Sequence, residues 1–79
     1  MSKRNELIIL KDICIVAAHG CKKSHIVYQS NLNFKIIKNY LKTLIDNGMI
    51  LQNESQYTTT QKGIDYIKEM KALEMMIGA

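Results

Sequence analysis

Four side chains within eight positions, Lys35, Lys38, Asn39 and Lys42, have the types and spacing to hold phosphates. At about 100° per residue they share one arc of an α-helix. Ammonium groups neutralise a phosphate backbone, and an Asn amide can pair bidentately with adenine in the major groove. Between Ile13 and Ile45 the chain carries no acidic residue. A helix face showing only lysine and amide groups suits a polyanion, and it suits sequence-tolerant contact best, because lysine lacks the rigid fork of arginine.

A second constellation points to different chemistry. Cys14, His19, Cys21 and His25 follow the pattern C-x4-H-x-C-x3-H, unlike the compact Cys-x2–4-Cys pairs of structural zinc sites. Cys14 also falls on an apolar helical stripe. The expectation is a buried Cys and loop-region His and Cys, with no metal and no cofactor. A Cys14–Cys21 disulfide is not expected in a cytosolic protein. No nucleophile–base–orienter set can be assembled, and no Gly-rich phosphate loop is present. Neither enzymatic activity nor a small-molecule substrate is therefore expected.

The elements that must position the lysines follow from periodicity. Beneath the basic arc, Phe34, Ile37, Leu41, Leu44 and Ile45 form an apolar arc. Asn33 is a suitable N-cap, and Asn47-Gly48 ends a helix predicted over Phe34–Asp46. A short helix, His25 to about Gln29, precedes it with Ser24 as cap, and Ser30 to Leu32 turn between them. Two helices joined by such a turn, the second basic and exposed, make a helix-turn-helix. Upstream, a helix from about Arg4 to Ala18 carries the stripe Leu7, Leu10, Cys14, Ala17 and Ala18. Ile8, Ile9, Ile13, Ile15 and Val16 spread apolar surface around it, so it wants burial on more than one side. Cys21 to Lys23 is a connector or short strand. Downstream, Met49–Gln52 and Gln56–Thr59 read as strands around the turn Asn53-Glu54-Ser55, a hairpin wing. The run Thr58-Thr59-Thr60 can cap a last helix to about Ile77.

That last helix has two apolar lines. Ile64 and Ile67 close the core in this reading. Tyr66, Met70, Leu73 and Ile77 are spaced four, three and four, a heptad-like seam expected to pair with another subunit. The alternative is that both lines pack within one chain.

Seventy-nine residues make one domain, and so small a core benefits from a partner chain. Net charge is +4, unevenly spread. Residues 1–48 hold eight cations against three acids, +5; residues 49–79 hold three against four, −1. Such a field favours phosphate backbones or an anionic surface. No apolar run is long enough to span a membrane. The start superficially resembles a signal peptide, but Lys11 and Asp12 interrupt it. The expected location is cytoplasmic and nucleoid-associated, with no membrane partner.

The order of elements resembles the small archaeal winged helix-turn-helix proteins, including the ten-kilodalton crenarchaeal chromatin proteins. The stretches IVYQSNLNFKIIKNYLKTLIDNGMI (Ile26 to Ile50) and YTTTQKGIDYI (Tyr57 to Ile67) carry the resemblance. Its most specific part is the Thr-Thr-x-Lys-Gly cap, Thr59 to Gly63, at the expected distance from the hairpin. The resemblance implies a mainly α fold with a small β-hairpin (α+β): a three-helix core, a wing and a C-terminal dimerisation helix. Residues 1–59 would be the DNA-binding domain and 60–79 the dimerisation element. It further implies a homodimer that binds double-stranded DNA as a transcriptional regulator or architectural protein. The C-terminal helix here is short for a long antiparallel coiled coil.

The remaining contacts are expected around that helix. Lys22, Lys23 and Ser24 lie where a helix-turn-helix meets phosphate. Ser30, Asn31 and Asn33 are short donors at the N-terminus of the basic helix, which itself favours phosphate. The wing lacks basic residues, so Asn53 or Gln56 would at most touch the sugar–phosphate edge. A rival class is a winged-helix interaction module, its basic face turned to an acidic protein or RNA.

Overall fold

The computed structural model describes residues 6–77. Helix α1 spans Glu6–Val16, strand β1 Cys21–Lys22, and helices α2 and α3 Lys23–Ser30 and Phe34–Asp46. Strands β2 and β3 are Ile50–Asn53 and Gln56–Thr59, and α4 is Gln61–Met76. The expected start of α1 near Arg4 lies outside the described residues. Cys21 and Lys22 do form a strand. It pairs antiparallel with β3, which makes a three-stranded sheet in the order β1-β3-β2.

The core is drawn from all four helices and from β2 and β3, with Cys21 of β1 packed against it. Ile13 and Cys14 of α1 and Ala17 just after it meet Ile26 of α2, Ile37, Leu41 and Leu44 of α3, and Ile50, Tyr57 and Ile67. The buried positions of α3, at 37, 41 and 44, match one face of a 3.6-residue period. Phe34 departs from the apolar arc: it is the first residue of α3, beyond the end of the core, and is 56% exposed.

Two threonines tie the elements together. The Thr59 hydroxyl donates to the Cys14 carbonyl at 2.6 Å, and the Thr59 N–H donates to the Ala17 carbonyl at 3.0 Å. Both carbonyls belong to the end of α1, where helical partners run out. Thr60 caps α4: its hydroxyl accepts from the Gly63 N–H at 3.3 Å and donates to the Gly48 carbonyl at 2.6 Å. Gly48, at φ +75°, reverses the chain after α3. Gly63 has ordinary helical geometry but no room. A Cβ there would stand 2.4 Å from the Met49 carbonyl oxygen and from Thr59 Cγ2.

The contact between α1 and α4 includes an ion pair with no sequence signal. Lys11, which interrupts the apolar run of α1, is only 8% exposed. Its Nζ donates to both Glu74 carboxylate oxygens, at 2.8 and 3.0 Å. Tyr66 donates its hydroxyl proton to the Leu7 carbonyl, and Met70 is buried within the chain. Half of the expected dimer seam is therefore spent inside one chain. The physical reason is that α1, apolar all round, offers α4 a wider surface than Ile64 and Ile67 can cover. Leu73 and Ile77 stay exposed, at 51% and 77%.

Candidate nucleic-acid interface

Helix α3 presents Lys35, Lys38, Asn39 and Lys42 to solvent, with Ile37, Leu41 and Leu44 buried beneath. Asn33 starts the helix: its side-chain oxygen accepts from the Ile36 N–H at 2.9 Å. Asn31, exposed, adopts the left-handed region at φ 60° and closes α2. The two helices and this turn give the helix-turn-helix geometry.

The surface differs in detail from the sequence expectation. Lys42 carries a carboxylate partner, Asp46, at 3.0 Å one turn along the helix. Both ends of this pair are mostly exposed, so it is weak, within about 1 kcal/mol, and a phosphate can displace it. Ser24 is not a cap. Helix α2 begins two residues before the expected His25, with Lys22 at the cap position and no side-chain cap bond. Ser30 is buried, 6% exposed at the last turn of α2, so its hydroxyl belongs to the fold and not to a DNA-facing surface.

The sheet divides the remaining candidates between two faces. Ile50, Tyr57 and Thr59 are buried, and side chains alternate along a strand. Gln52, opposite Tyr57, and Cys21, also opposite Tyr57, share that inner face. Lys22, Gln56 and Asn53 are paired in a row across the outer face. The strand β1 thus brings Lys22 beside Gln56 and supplies the wing with the cation its own sequence lacks.

On the inner side, Lys23, Lys38, Asn39 and Lys42 come together around a cleft of about 380 Å³ between α2, α3 and the sheet. Asp46, Gln52 and Tyr57 line it as well. Lys35 stands a turn away towards the N-terminus of α3 and is not part of it. Tyr57 and Gln52 read in the sequence only as strand residues. Their place in the cleft depends on the register of β2 with β3.

The two cysteines are free thiols. Cys14 is sealed in the core, and burial pushes its pKa up to about 11, so it stays protonated at neutral pH. Cys21 lies on β1, and burial raises its pKa as well. Among the described residues, no group of three or more His, Cys, Asp or Glu side chains is placed to hold a metal ion. Nor is any described helix long and apolar enough to cross a membrane.

This arrangement of helices and wing has known relatives. The sequence profile of the winged helix-turn-helix family matches residues 3–78. The chain belongs to the winged helix-turn-helix family. It is 37% identical over 62 residues to the uncharacterised protein MJ0290 of Methanocaldococcus jannaschii, a match covering 77% of this chain. The matched region spans 29% of that longer relative. In structure the chain resembles Sso10a-2, a DNA-binding protein from Sulfolobus solfataricus, with a TM-score of 0.81 at 21% identity. That superposition covers 92% of this chain and 81% of the other. The expected resemblance to small archaeal winged helix-turn-helix proteins, and the α+β fold it implies, are thereby found.

Proposed function

We propose that this chain binds double-stranded DNA, laying α3 in the major groove as a homodimer. One observation carries the reading: on the second helix of a helix-turn-helix, the buried face is wholly apolar and the exposed face holds Lys35, Lys38, Asn39 and Lys42. An α-helix fits the major groove, where base edges can be read. Asn39 is the candidate for adenine; Lys23, Lys35, Lys38 and Lys42 neutralise phosphates, and Asn31, Asn33 and Ser24 hold the backbone beside them. Lys22, with Gln56 and Asn53, touches the flanking strand from the outer face of the wing. The likeness in fold to Sso10a-2, itself a DNA-binding protein, supports the same reading. Lysines without arginine favour sequence-tolerant contact and hence an architectural role over a regulator that reads a single operator.

Fluorescence anisotropy on a random-sequence duplex tests the proposal. Five lysines per protomer, each neutralising one phosphate, give a slope of log K against log salt of roughly −4 to −5. A slope near zero removes the electrostatic basis of the reading. The same duplex separates it from an interaction module, which would show little binding at moderate salt.

For the dimer, a contiguous apolar surface lies at the end of α4, where Leu73, Met75, Met76 and Ile77 are all at least half exposed. Light scattering at micromolar concentration is expected to give twice the mass of one chain. Leu73→Glu shifts the species to a monomer while the helical circular dichroism is kept. A wild-type chain that is monomeric at that concentration rules out this contact.

A further inference from the structure

The cleft between α3 and the sheet holds more than the exposed face of a recognition helix requires. Tyr57 lines it although only 7% of the residue is exposed. Its ring packs in the core, while its hydroxyl, with no hydrogen-bond partner among the described residues, reaches the solvent of the cleft. Around it stand Lys23 from the first turn of α2, Lys38 and Lys42 from α3, and Gln52 opposite Tyr57 in the sheet. Three ammonium groups against the single carboxylate of Asp46 leave the lining at +2. Leu41 adds an apolar wall, and a volume of about 380 Å³ exceeds that of one water-sized anion and lies in the range of small-ligand sites.

We infer that this cleft is a phosphate-binding site, with the Tyr57 hydroxyl donating to a phosphate oxygen and Lys23, Lys38 and Lys42 balancing its charge. Lys42 can turn from Asp46 to the anion, because the pair between them is exposed. Two sources carry the same chemistry. One is a backbone phosphate of bound DNA, which makes Tyr57, Lys23 and Gln52 a clamp beside α3. The other is a free organic phosphate, which would occupy Lys38 and Lys42 and so compete with DNA. The first source rests on the DNA-binding reading, and the second does not.

Tyr57→Phe is the decisive variant, because it removes one oxygen that no intramolecular hydrogen bond uses and leaves the ring in the core. Its thermal melt should coincide with wild type. Amide shifts in nitrogen-edited spectra are followed while inorganic phosphate, and separately adenosine 5′-monophosphate, is added; duplex DNA is titrated in parallel. Saturable shifts at Lys23, Lys38, Gln52 and Tyr57 that weaken about tenfold in Tyr57→Phe, the usual size for a hydrogen bond to a charged group, establish the site. If Tyr57→Phe also weakens DNA binding about tenfold, the backbone supplies the phosphate. If DNA binding is unchanged while the free anions lose affinity, the source is a free organic phosphate. Lys23→Gln must weaken the same ligand, which guards against an effect of Tyr57→Phe on packing alone. The inference is overturned when neither free anion moves these amides and Tyr57→Phe binds DNA as wild type does. Should wild type bind no DNA at all, the free-anion titration still decides the site, so the two readings fail separately.

Discussion

Reversing Lys38 and Lys42 together to glutamate is expected to lower affinity for duplex DNA by more than about a hundredfold near 0.1 M salt. The estimate rests on counterion release: each phosphate neutralised contributes roughly tenfold at that ionic strength, and two are lost. The new carboxylates then repel the backbone, which enlarges the effect. The salt slope should fall by about two. Folding should be almost untouched, since both side chains are exposed. Turning the Lys42–Asp46 pair into two like charges costs helix α3 about 1 kcal/mol at most, the lost attraction and the new repulsion being a few tenths each. The measurement is anisotropy at several salt concentrations, with circular dichroism as the control for folding. Asp46→Asn supplies a check in the opposite direction, because it releases Lys42 and should tighten binding. Unchanged affinity in the double variant would mean that α3 is not the contacting helix.

Gly63→Ala should be strongly destabilising, because a Cβ at Gly63 meets closer neighbours than one at Gly20 or Gly48. Within a helix, Ala ordinarily stabilises relative to Gly by about 1 kcal/mol. Here the added Cβ would lie 2.4 Å from a backbone oxygen, that of Met49, and from Thr59 Cγ2. Neither neighbour can yield cheaply. Met49 O accepts the Thr60 N–H at 2.8 Å, and Thr59 is held to Cys14 by its buried hydroxyl. Overpacking of this kind costs about 1–3 kcal/mol, and the helix start would move off the sheet. A chain of this size loses roughly 4–8 °C in Tm per kcal/mol, so the clash by itself lowers Tm by roughly 4–24 °C, a fall that the ordinary helical gain of Ala only partly offsets. A melting temperature equal to or above wild type would show that α4 does not approach β2 as closely as described. The Thr-Thr-x-Lys-Gly run owes its character to this contact: one threonine closes α1, the next caps α4, and the glycine lets the two backbones meet.

Much of the fold is legible from local pattern. The boundaries of α3 follow from the Asn33 cap, the spacing of Ile37, Leu41 and Leu44, and the Asn47-Gly48 stop. The hairpin follows from two short strand-like runs about a turn, and α4 from the threonine cap. The failures are equally local in kind. Ser24 looks like a cap, but β1 pairs with β3 and carries the start of α2 forward to Lys23. Ser30 looks like a surface donor, but α2 runs on to include it, four residues after Ile26 on the helix's buried face. Tyr66 and Met70 look like a free seam, but Tyr66 bonds to Leu7 of α1 and Met70 is buried within the chain.

What the sequence by itself determined is the set of helices and strands and the acid-poor lysine arc on α3. These depend on cap chemistry and on periods of 3.6 and 2, which act between residues a few positions apart. Tertiary structure alone decided which distant groups meet. It paired Lys11 with Glu74 across 63 positions, set Lys22 beside Gln56, and closed Lys23, Gln52 and Tyr57 around one cleft. Contacts of that kind are fixed by strand register and by how helices pack, and no short-range pattern encodes either.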